Sequence, residues 1–260
     1  MTRGYLDHAG VLAFAHRGGA FHPELVGLEN TMAAFRHAVD LGYVYLETDV
    51  HVTRDGVLLA FHDEVLDRVT DRTGSVSCTS YADVQAALIG DRERVPTLAQ
   101  LFEAFPRTRF NIDIKSAGSV PALADFISAH DAWDRVLVGS FSARRLSTFR
   151  RLTQGRVATS AHPFEVAAYV LSPSATLARL LTRGQPDALQ IPHRQGPLTL
   201  ASAGVIRRAH ANGLQVHVWT VDDPAEMSEL LDSGVDGLMT DRTDILSDVL
   251  RSRGQWEEQS

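Results

Sequence analysis

The chain predicts an α/β fold, a (β/α)8 TIM barrel with a small insertion after the second strand. Three observations predict it: short apolar or β-branched runs alternate with longer amphipathic ones, the short runs number eight, and one interval breaks the alternation. The short runs are Val11 to Ala15, Tyr43 to Val50, Arg109 to Ile114, Arg135 to Gly139, Arg156 to Thr159, Asp187 to Ile191, Leu214 to Thr220 and Val235 to Thr240. Helical patterns separate them, at Thr31 to Leu41, Leu98 to Phe105, Val120 to His130, Ala143 to Leu152, Leu200 to Asn212, Ala225 to Asp232 and Asp244 to Arg251. Strands joined by helical crossovers run parallel, and eight such units favour a closed barrel over an open sheet. Pro163 to Arg183 reads as a helix broken at Pro173, because proline removes a backbone donor. Thr53 to Pro96 reads as the insertion, with a turn at Asp55-Gly56 and a further strand from Val57 to Phe61. It leaves the barrel where active sites of this architecture lie. One domain spanning residues 1–260 is expected, ending in a frayed tail from Gly254 to Ser260.

The composition narrows the function. A formal charge of -7 and a pI near 5.9 give no basic footprint for nucleic acid or an anionic membrane, so a phosphate-bearing ligand would need local positive charge. Met1 to Gly10 lacks a charged region followed by an apolar core, and no run is long and apolar enough to span a bilayer. A cytoplasmic protein without stable membrane insertion is expected, with its oligomeric state open. Cys78, the one cysteine, has no basic neighbour between Ser75 and Ser80 and is read as an inert thiol.

Side chains alternate along a strand, so Tyr45, Glu47, Asp49 and His51 share one face of the second run. Leu46, Thr48, Val50 and Val52 share the other, and only this second face suits packing against helices. In the third run Asn111, Asp113 and Lys115 likewise oppose Phe110, Ile112 and Ile114. Two strands thus aim carboxylates into the barrel near its catalytic end. Glu47, Asp49 and Asp113 together would repel one another, and one lysine cannot balance three charges. An all-oxygen set points to a hard ion, Mg²⁺ or Ca²⁺. The alternative is a buried ion-pair network centred on Lys115. At the end of the first run, Ala15-His16-Arg17-Gly18-Gly19 suits a phosphate held by guanidinium, with imidazole moving a proton. His62-Asp63 follows the insertion's strand and offers a second imidazole beside a carboxylate.

Read together, Ala15-His16-Arg17-Gly18-Gly19, Glu29-Asn30-Thr31, Glu47-Thr48-Asp49-Val50, Thr53-Arg54-Asp55-Gly56, His62-Asp63, Asn111-Ile112-Asp113-Ile114-Lys115, Trp219-Thr220-Val221 and Asp236-Gly237-Leu238-Met239-Thr240-Asp241 closely resemble, in order and spacing, the glycerophosphodiester phosphodiesterase family of the bacterial, cytosolic type. The resemblance runs from about Ala13 to Asp241. It implies metal-dependent hydrolysis of glycerophosphodiesters to sn-glycerol 3-phosphate and an alcohol, with one divalent cation, Ca²⁺ or Mg²⁺. Carried over by motif, Glu47, Asp49 and Asp113 are the metal ligands, His16 and His62 the acid/base pair, and Arg17 and Lys115 the phosphate clamp. Asp113 stands where the family usually has Glu, and Asp222 where it commonly has Asn. Trp219 shares a face with His217 and is a candidate wall for the substrate's glycerol or head group.

Other residues carry plainer expectations. Glu29 is read as orienting Arg17, Asn30 or Thr31 as a helix cap, and His51, His193 and His217 as structural or supporting. Asp241 is expected to anchor the loop after the eighth strand, and Arg144-Arg145 and Arg150-Arg151 to face solvent. One rival function is a phospholipase D-like or lysophospholipid-cleaving phosphodiesterase on a similar barrel, whose signature would be an apolar platform beside the mouth; Phe164 to Leu181 is the one weak candidate. Another is a non-catalytic phosphodiester-binding barrel, which would not require two imidazoles. Without a basic patch or a clear amphipathic membrane helix, water-soluble deacylated diesters are the expected substrates.

Overall fold

The structure, a computed structural model, describes residues 4–8 and 10–256. Eight parallel strands form the barrel: β1 (Leu12–Ala15), β2 (Tyr45–Val52), β3 (Arg109–Ile114), β4 (Val136–Gly139), β5 (Ala158–Thr159), β6 (Ala188–Pro192), β7 (Gln215–Trp219) and β8 (Gly237–Thr240). Their neighbours follow chain order, and β1 pairs with β8 from Leu12↔Gly237 to Ala15↔Thr240. The weakest seam lies between the two-residue β5 and β6. There Ser160 pairs with Ala188, and the Ala161 amide donates to the Ala188 carbonyl at 2.8 Å.

Around the barrel run α1 (Met32–Asp40), α2 (Leu98–Ala104), α3 (Ser119–Ala129), α4 (Ala143–Leu152), α5 (Pro163–Leu171), α6 (Ala175–Thr182), α7 (Ala203–His210), α8 (Pro224–Asp232) and α9 (Thr243–Ser252). The break at Pro173 separates α5 from α6, as its missing donor requires. Local sequence starts these helices: Thr31 accepts from the Ala34 amide, Thr97 and Gln100 form a reciprocal capping box, and Asp223 precedes a first-turn proline. Of the two expected caps only Thr31 serves. Arg150 corrects the solvated-face expectation: it reaches under α5 to Glu165 at 2.7 and 3.1 Å and to the Ser160 carbonyl at 3.1 Å.

Strand alternation divides the core. Leu46, Val50, Phe110, Ile112 and Ile114 point outward into the layer shared with the helices, where Phe110 stacks on Phe102 at 4.5 Å between centroids. Truncating such a buried aromatic costs about 3–5 kcal/mol. Inward side chains Leu12, Phe14, Tyr45, Leu137 and Met239 fill the barrel with Tyr5 and Leu6, which close its N-terminal end. Arg109 holds that plug through the Tyr5 carbonyl at 3.1 Å and the Tyr45 hydroxyl at 2.6 Å.

The insertion opens with a turn at Gly56 (φ 88°) and a strand, Leu58–Ala60, antiparallel to β2. It carries its own small core of Leu59, Phe61, Leu66, Val76, Val84, Ile89 and Val95, packed with Leu25, Leu28 and Ala34. Cys78 is exposed there. In the expected C-terminal tail, Trp256 meets Tyr43 edge-on at 5.1 Å, so the chain is packed to that point; residues 257–260 lie outside the described residues. Among the described residues no helix is long and apolar enough to cross a membrane.

Candidate active site

A cleft of about 600 Å³ opens at the C-terminal ends of the strands, and all eight candidate residues from the sequence line it: His16, Arg17, Glu47, Asp49, His62, Asp113, Lys115 and Trp219. The His16–Gly18 turn continues directly from β1. Its glycines permit the close approach: a Cβ on Gly18 (φ 85°) would meet Ala34 of α1 at 2.7 Å, and one on Gly19 (φ 90°) would meet Thr243 of α9 at 2.6 Å. Arg17 itself adopts φ 48°, a left-handed conformation costing about 1–3 kcal/mol. That conformation points its amide at Glu47 Oε2, 3.0 Å away.

His16 Nδ1 lies 2.8 Å from Asp241 Oδ1, and its Nε2 is 3.8 Å from Glu47 Oε2. Burial opposes the imidazolium, but the charges of Glu47 and Asp241 outweigh it and hold the His16 pKa above its ordinary value. Asp241 therefore does more than anchor a loop. Its own position is set by Asp222, which accepts from the Asp241 amide at 2.8 Å and from Thr240 Oγ1 at 2.9 Å.

His62 follows the insertion's strand, and its Nδ1 lies 2.6 Å from Asp63 Oδ1. Arg68, which sequence reading passed over, fixes this arrangement. It donates to Asp63 at 2.6 and 3.0 Å and to both oxygens of Glu29 at 2.6 and 2.8 Å, tying the insertion to the loop after β1. These bonds hold the Asp63 carboxyl down at about 2. Glu29 also accepts from Arg17 at 3.1 Å, in keeping with the expected orienting role. His51 supports the same loop, its Nε2 lying 3.1 Å from the His62 carbonyl.

Register places Asp49 directly across from Asp113 on the barrel's inner face. Lys115 Nζ sits between them, 3.0 Å from Asp49 and 2.7 Å from Asp113, and Arg17 Nε lies 3.3 Å from Asp49 without hydrogen-bonding geometry. Asn30 belongs to this cluster. It is buried at φ 57°, donating to Asp49 at 3.1 Å while accepting from Thr48 at 2.7 Å, so it is a positioning group and no cap. Burial raises the Asp49 pKa, but Lys115 and Arg17 overcome this and keep it low. Glu47 fares differently: burial, then the charge of Asp49, push it up to about 7. The cluster thus remains short of positive charge even with both cations in place. Glu47, Asp49 and Asp113 offer the oxygen donors that a hard divalent cation takes, but Lys115 fills the gap between the two aspartates, and the oxygens of the three carboxylates do not all lie within 4.8 Å of one another.

His193 and His217 do not line the cleft. His193 bonds to Glu226 at 2.6 Å. His217 is fully buried between Gln190 and Gln215, and desolvation holds it down at about 3. Trp219 lines the cleft and meets Phe141 edge-on at 5.9 Å between centroids. Among the described residues, the group whose ligand atoms do lie within 4.8 Å of one another is His22, Glu24 and His37, which no motif had singled out.

Residues 16–245 match the model of the Glycerophosphoryl diester phosphodiesterase family. A Mycobacterium tuberculosis protein named Probable glycerophosphodiester phosphodiesterase 2 is 41% identical over 97% of this chain and 96% of its own length. A human protein named Lysophospholipase D GDPD1 is 29% identical over 92% of this chain and 85% of its own. Among solved structures, an Oleispira antarctica phosphodiesterase in complex with the product sn-glycerol-3-phosphate superposes with a TM-score of 0.78 at 21% identity, covering 93% of this chain and 97% of that one.

Proposed function

The chain belongs to the glycerophosphoryl diester phosphodiesterase family, and from that premise we propose that it hydrolyses glycerophosphodiesters to sn-glycerol 3-phosphate and an alcohol, with a divalent cation, Ca²⁺ or Mg²⁺, and two catalytic histidines. One observation carries this reading. His16 and His62, each with its Nδ1 held by its own aspartate, line one cleft with Arg17 and Lys115. Phosphoryl transfer needs this combination of charge neutralisation and proton movement. The single barrel acts as one unit, with the insertion at residues 53–96 supplying His62.

Arg17 and Lys115 draw the anionic diester to the polar end of the cleft and offset the charge that develops on its oxygens. With each Nδ1–H donating to its own aspartate, Nε2 of both imidazoles is left for the substrate. One imidazole takes the proton from the attacking hydroxyl, and the other delivers a proton to the departing alcohol. The substrate's own glycerol 2-hydroxyl is the first nucleophile, and water then opens the cyclic phosphate with the two imidazoles in exchanged roles. Glu47, Asp49 and Asp113 would hold the cation, which would offset their mutual repulsion and supply Lewis-acid stabilisation of the charge on the phosphoryl group. Trp219 walls the glycerol.

Glycerol 3-phosphate release from glycerophosphocholine, glycerophosphoethanolamine and glycerophosphoglycerol, with Ca²⁺ or Mg²⁺ and with chelator, tests the proposal. Turnover with cation and little in chelator is expected. Absence of release from every diester with either ion, by folded protein, overturns it.

A further inference from the structure

A cluster of metal-ligating side chains lies outside the cleft. The loop after β1 carries His22 and Glu24 two residues apart, and the last turn of α1 carries His37. One ligand atom from each of the three lies within 4.8 Å of the other two. Local sequence builds this meeting. Pro23 stiffens the step between the two loop ligands. Around it the Leu25 amide donates to the His22 carbonyl at 2.8 Å and the Glu24 amide to His22 Nδ1 at 3.3 Å. The loop is held on both sides of the ligands: the Phe21 amide donates to the Asp241 carbonyl at 3.0 Å, and Leu25 and Leu28 are buried in the insertion's core. The two imidazoles stand 4.2 Å apart between centroids. His37 Nε2 is shut off from solvent and has no hydrogen-bond partner among the described residues. That is a costly state for a buried polar atom, and a metal bond would relieve it. Burial, then the nearness of His37, hold the His22 pKa below its ordinary value, so near neutral pH the ring is in the neutral form that ligates metals.

We propose that His22, Glu24 and His37 bind a zinc ion, at a site separate from the catalytic cleft and independent of the hydrolysis proposed above. The donors choose the metal. Two imidazole nitrogens and one carboxylate oxygen suit Zn²⁺, whereas Ca²⁺ and Mg²⁺ take oxygen ligands. Ligand atoms around a tetrahedral zinc lie about 3.3 Å apart, and the exposed Glu24 side chain supplies the adjustment by turning inward. The surrounding charge favours a cation. Asp244 and Glu24 act on His22 more strongly than Arg242 opposes them, and the C-terminal turn of α1 adds the negative end of its dipole. Asp244 itself is committed to Arg242 at 2.7 and 2.9 Å, so water completes the tetrahedron. Bound there, the ion fastens the loop after β1 to α1. That loop ends at Glu29 and Asn30, which bond to Arg17 and Asp49. Zinc therefore steadies two supports of the catalytic cleft without entering its chemistry.

Zinc titration of metal-stripped protein, free of any histidine tag, against a chromophoric chelator tests the site, with hydrogen exchange of the loop as a second readout. Asp113→Asn separates the site from zinc held in the cleft, because that variant keeps all three ligands. Native protein and Asp113→Asn should bind zinc here alike. His22→Gln, His37→Gln and Glu24→Ala should each bind it more than about a hundredfold more weakly, beyond the loss caused by removing a group that only supports a ligand. Glu24→Ala changes an exposed side chain and keeps the test valid should His37→Gln fail to fold. At zinc that saturates the native protein, amide exchange across residues 20–28 should slow in native protein and Asp113→Asn but in none of the three ligand variants. Equal zinc affinity and stoichiometry in native protein, His22→Gln and Glu24→Ala overturns the site, as does a failure of Asp113→Asn to bind zinc. Zinc bound through these residues with no slowing of exchange overturns the fastening of the loop.

Discussion

His16 and Asp241 stand 225 residues apart and meet at 2.8 Å, because barrel closure sets β8 beside β1. A carboxylate on Nδ1 fixes the imidazole's tautomer and presents Nε2 to the substrate. Asp241→Asn should lower kcat by about 10²- to 10⁴-fold, as loss of an orienting carboxylate does elsewhere. The pH profile supplies a second readout. Asp241 helps to raise the His16 pKa, so its neutralisation should move the limb of kcat/KM that reports His16 toward lower pH. An unmoved limb with near-native kcat would confine Asp241 to loop anchoring.

Removing either imidazole tests the pair itself. His16→Ala and His62→Ala should each cost about two to four orders of magnitude in kcat, with much smaller effects on KM. Purified, folded protein turning over at nearly the native rate would remove that residue from the mechanism.

Arg68 is expected to act by position. It bonds Asp63 beneath His62 and Glu29 beside Arg17, so Arg68→Ala should cut kcat by about ten- to a hundredfold through misplacement of both. Its side chain is 48% exposed, and the melting temperature should barely change, since exposed ion pairs contribute little. Arg68→Lys should not restore the rate, because an ammonium cannot span two carboxylates as a planar fork does. A drop in stability with unaltered kcat would make Arg68 structural only.

Two physical limits separate what the sequence revealed from what it hid. The inward face of β2 was legible because a period of two is a property of the strand itself, so Glu47, Asp49 and, by the same rule, Asp113 and Lys115 could be placed on one side. The Asp241 contact depends on closure across the whole barrel, and nothing local marks it. Arg68 lies in a loop whose path no periodicity describes. Asn30 was misread for a reason of chemistry: asparagine caps helices readily, but here a left-handed backbone turns its amide onto Asp49. Likewise Arg150 follows a helical surface pattern, yet its partners are Glu165 and the Ser160 carbonyl, which lie outside its own helix and which no local pattern marks. The resemblance to a family supplied roles for residues that local patterns could only place.

His217 carries a consequence for acid stability. Its folded pKa is about 3 against an ordinary 6.5, because burial excludes the imidazolium. Above pH 6.5 both folded and unfolded chains hold it neutral, and it has no effect. As pH falls below 6.5 only the unfolded chain takes up the proton, so stability declines by about 1.4 kcal/mol per pH unit until pH nears 3. Urea unfolding of the native protein and His217→Gln at pH 6.5 and 4.5 should show the native protein losing about 2.3 kcal/mol more than the variant. Equal losses would mean that His217 is not buried as a neutral ring.

The carboxylate cluster separates a cation site from an ion-pair network. Lys115 bridges Asp49 and Asp113, as the network alternative anticipated, yet Glu47 is left buried with Asp49's charge pushing its pKa up. The two readings differ over Glu47. For a cation site, the metal-free protein carries unrelieved repulsion, so Glu47→Gln in chelator should melt higher than the native protein. Ca²⁺ or Mg²⁺ should raise the native melting temperature by mass action, and should do so less for Glu47→Gln and for Asp113→Asn. Asp113→Asn in chelator should melt near the native value, since Lys115 keeps Asp49 as a partner. In a network built only to neutralise Lys115 and Arg17, every lost carboxylate leaves a cation less compensated, so both variants should melt lower in chelator. Melting curves of the three proteins, with chelator and with each ion, distinguish these patterns. No cation-induced rise in the native protein, together with destabilised variants in chelator, would end the metal-site assignment and leave the polar end of the cleft to Arg17 and Lys115 alone.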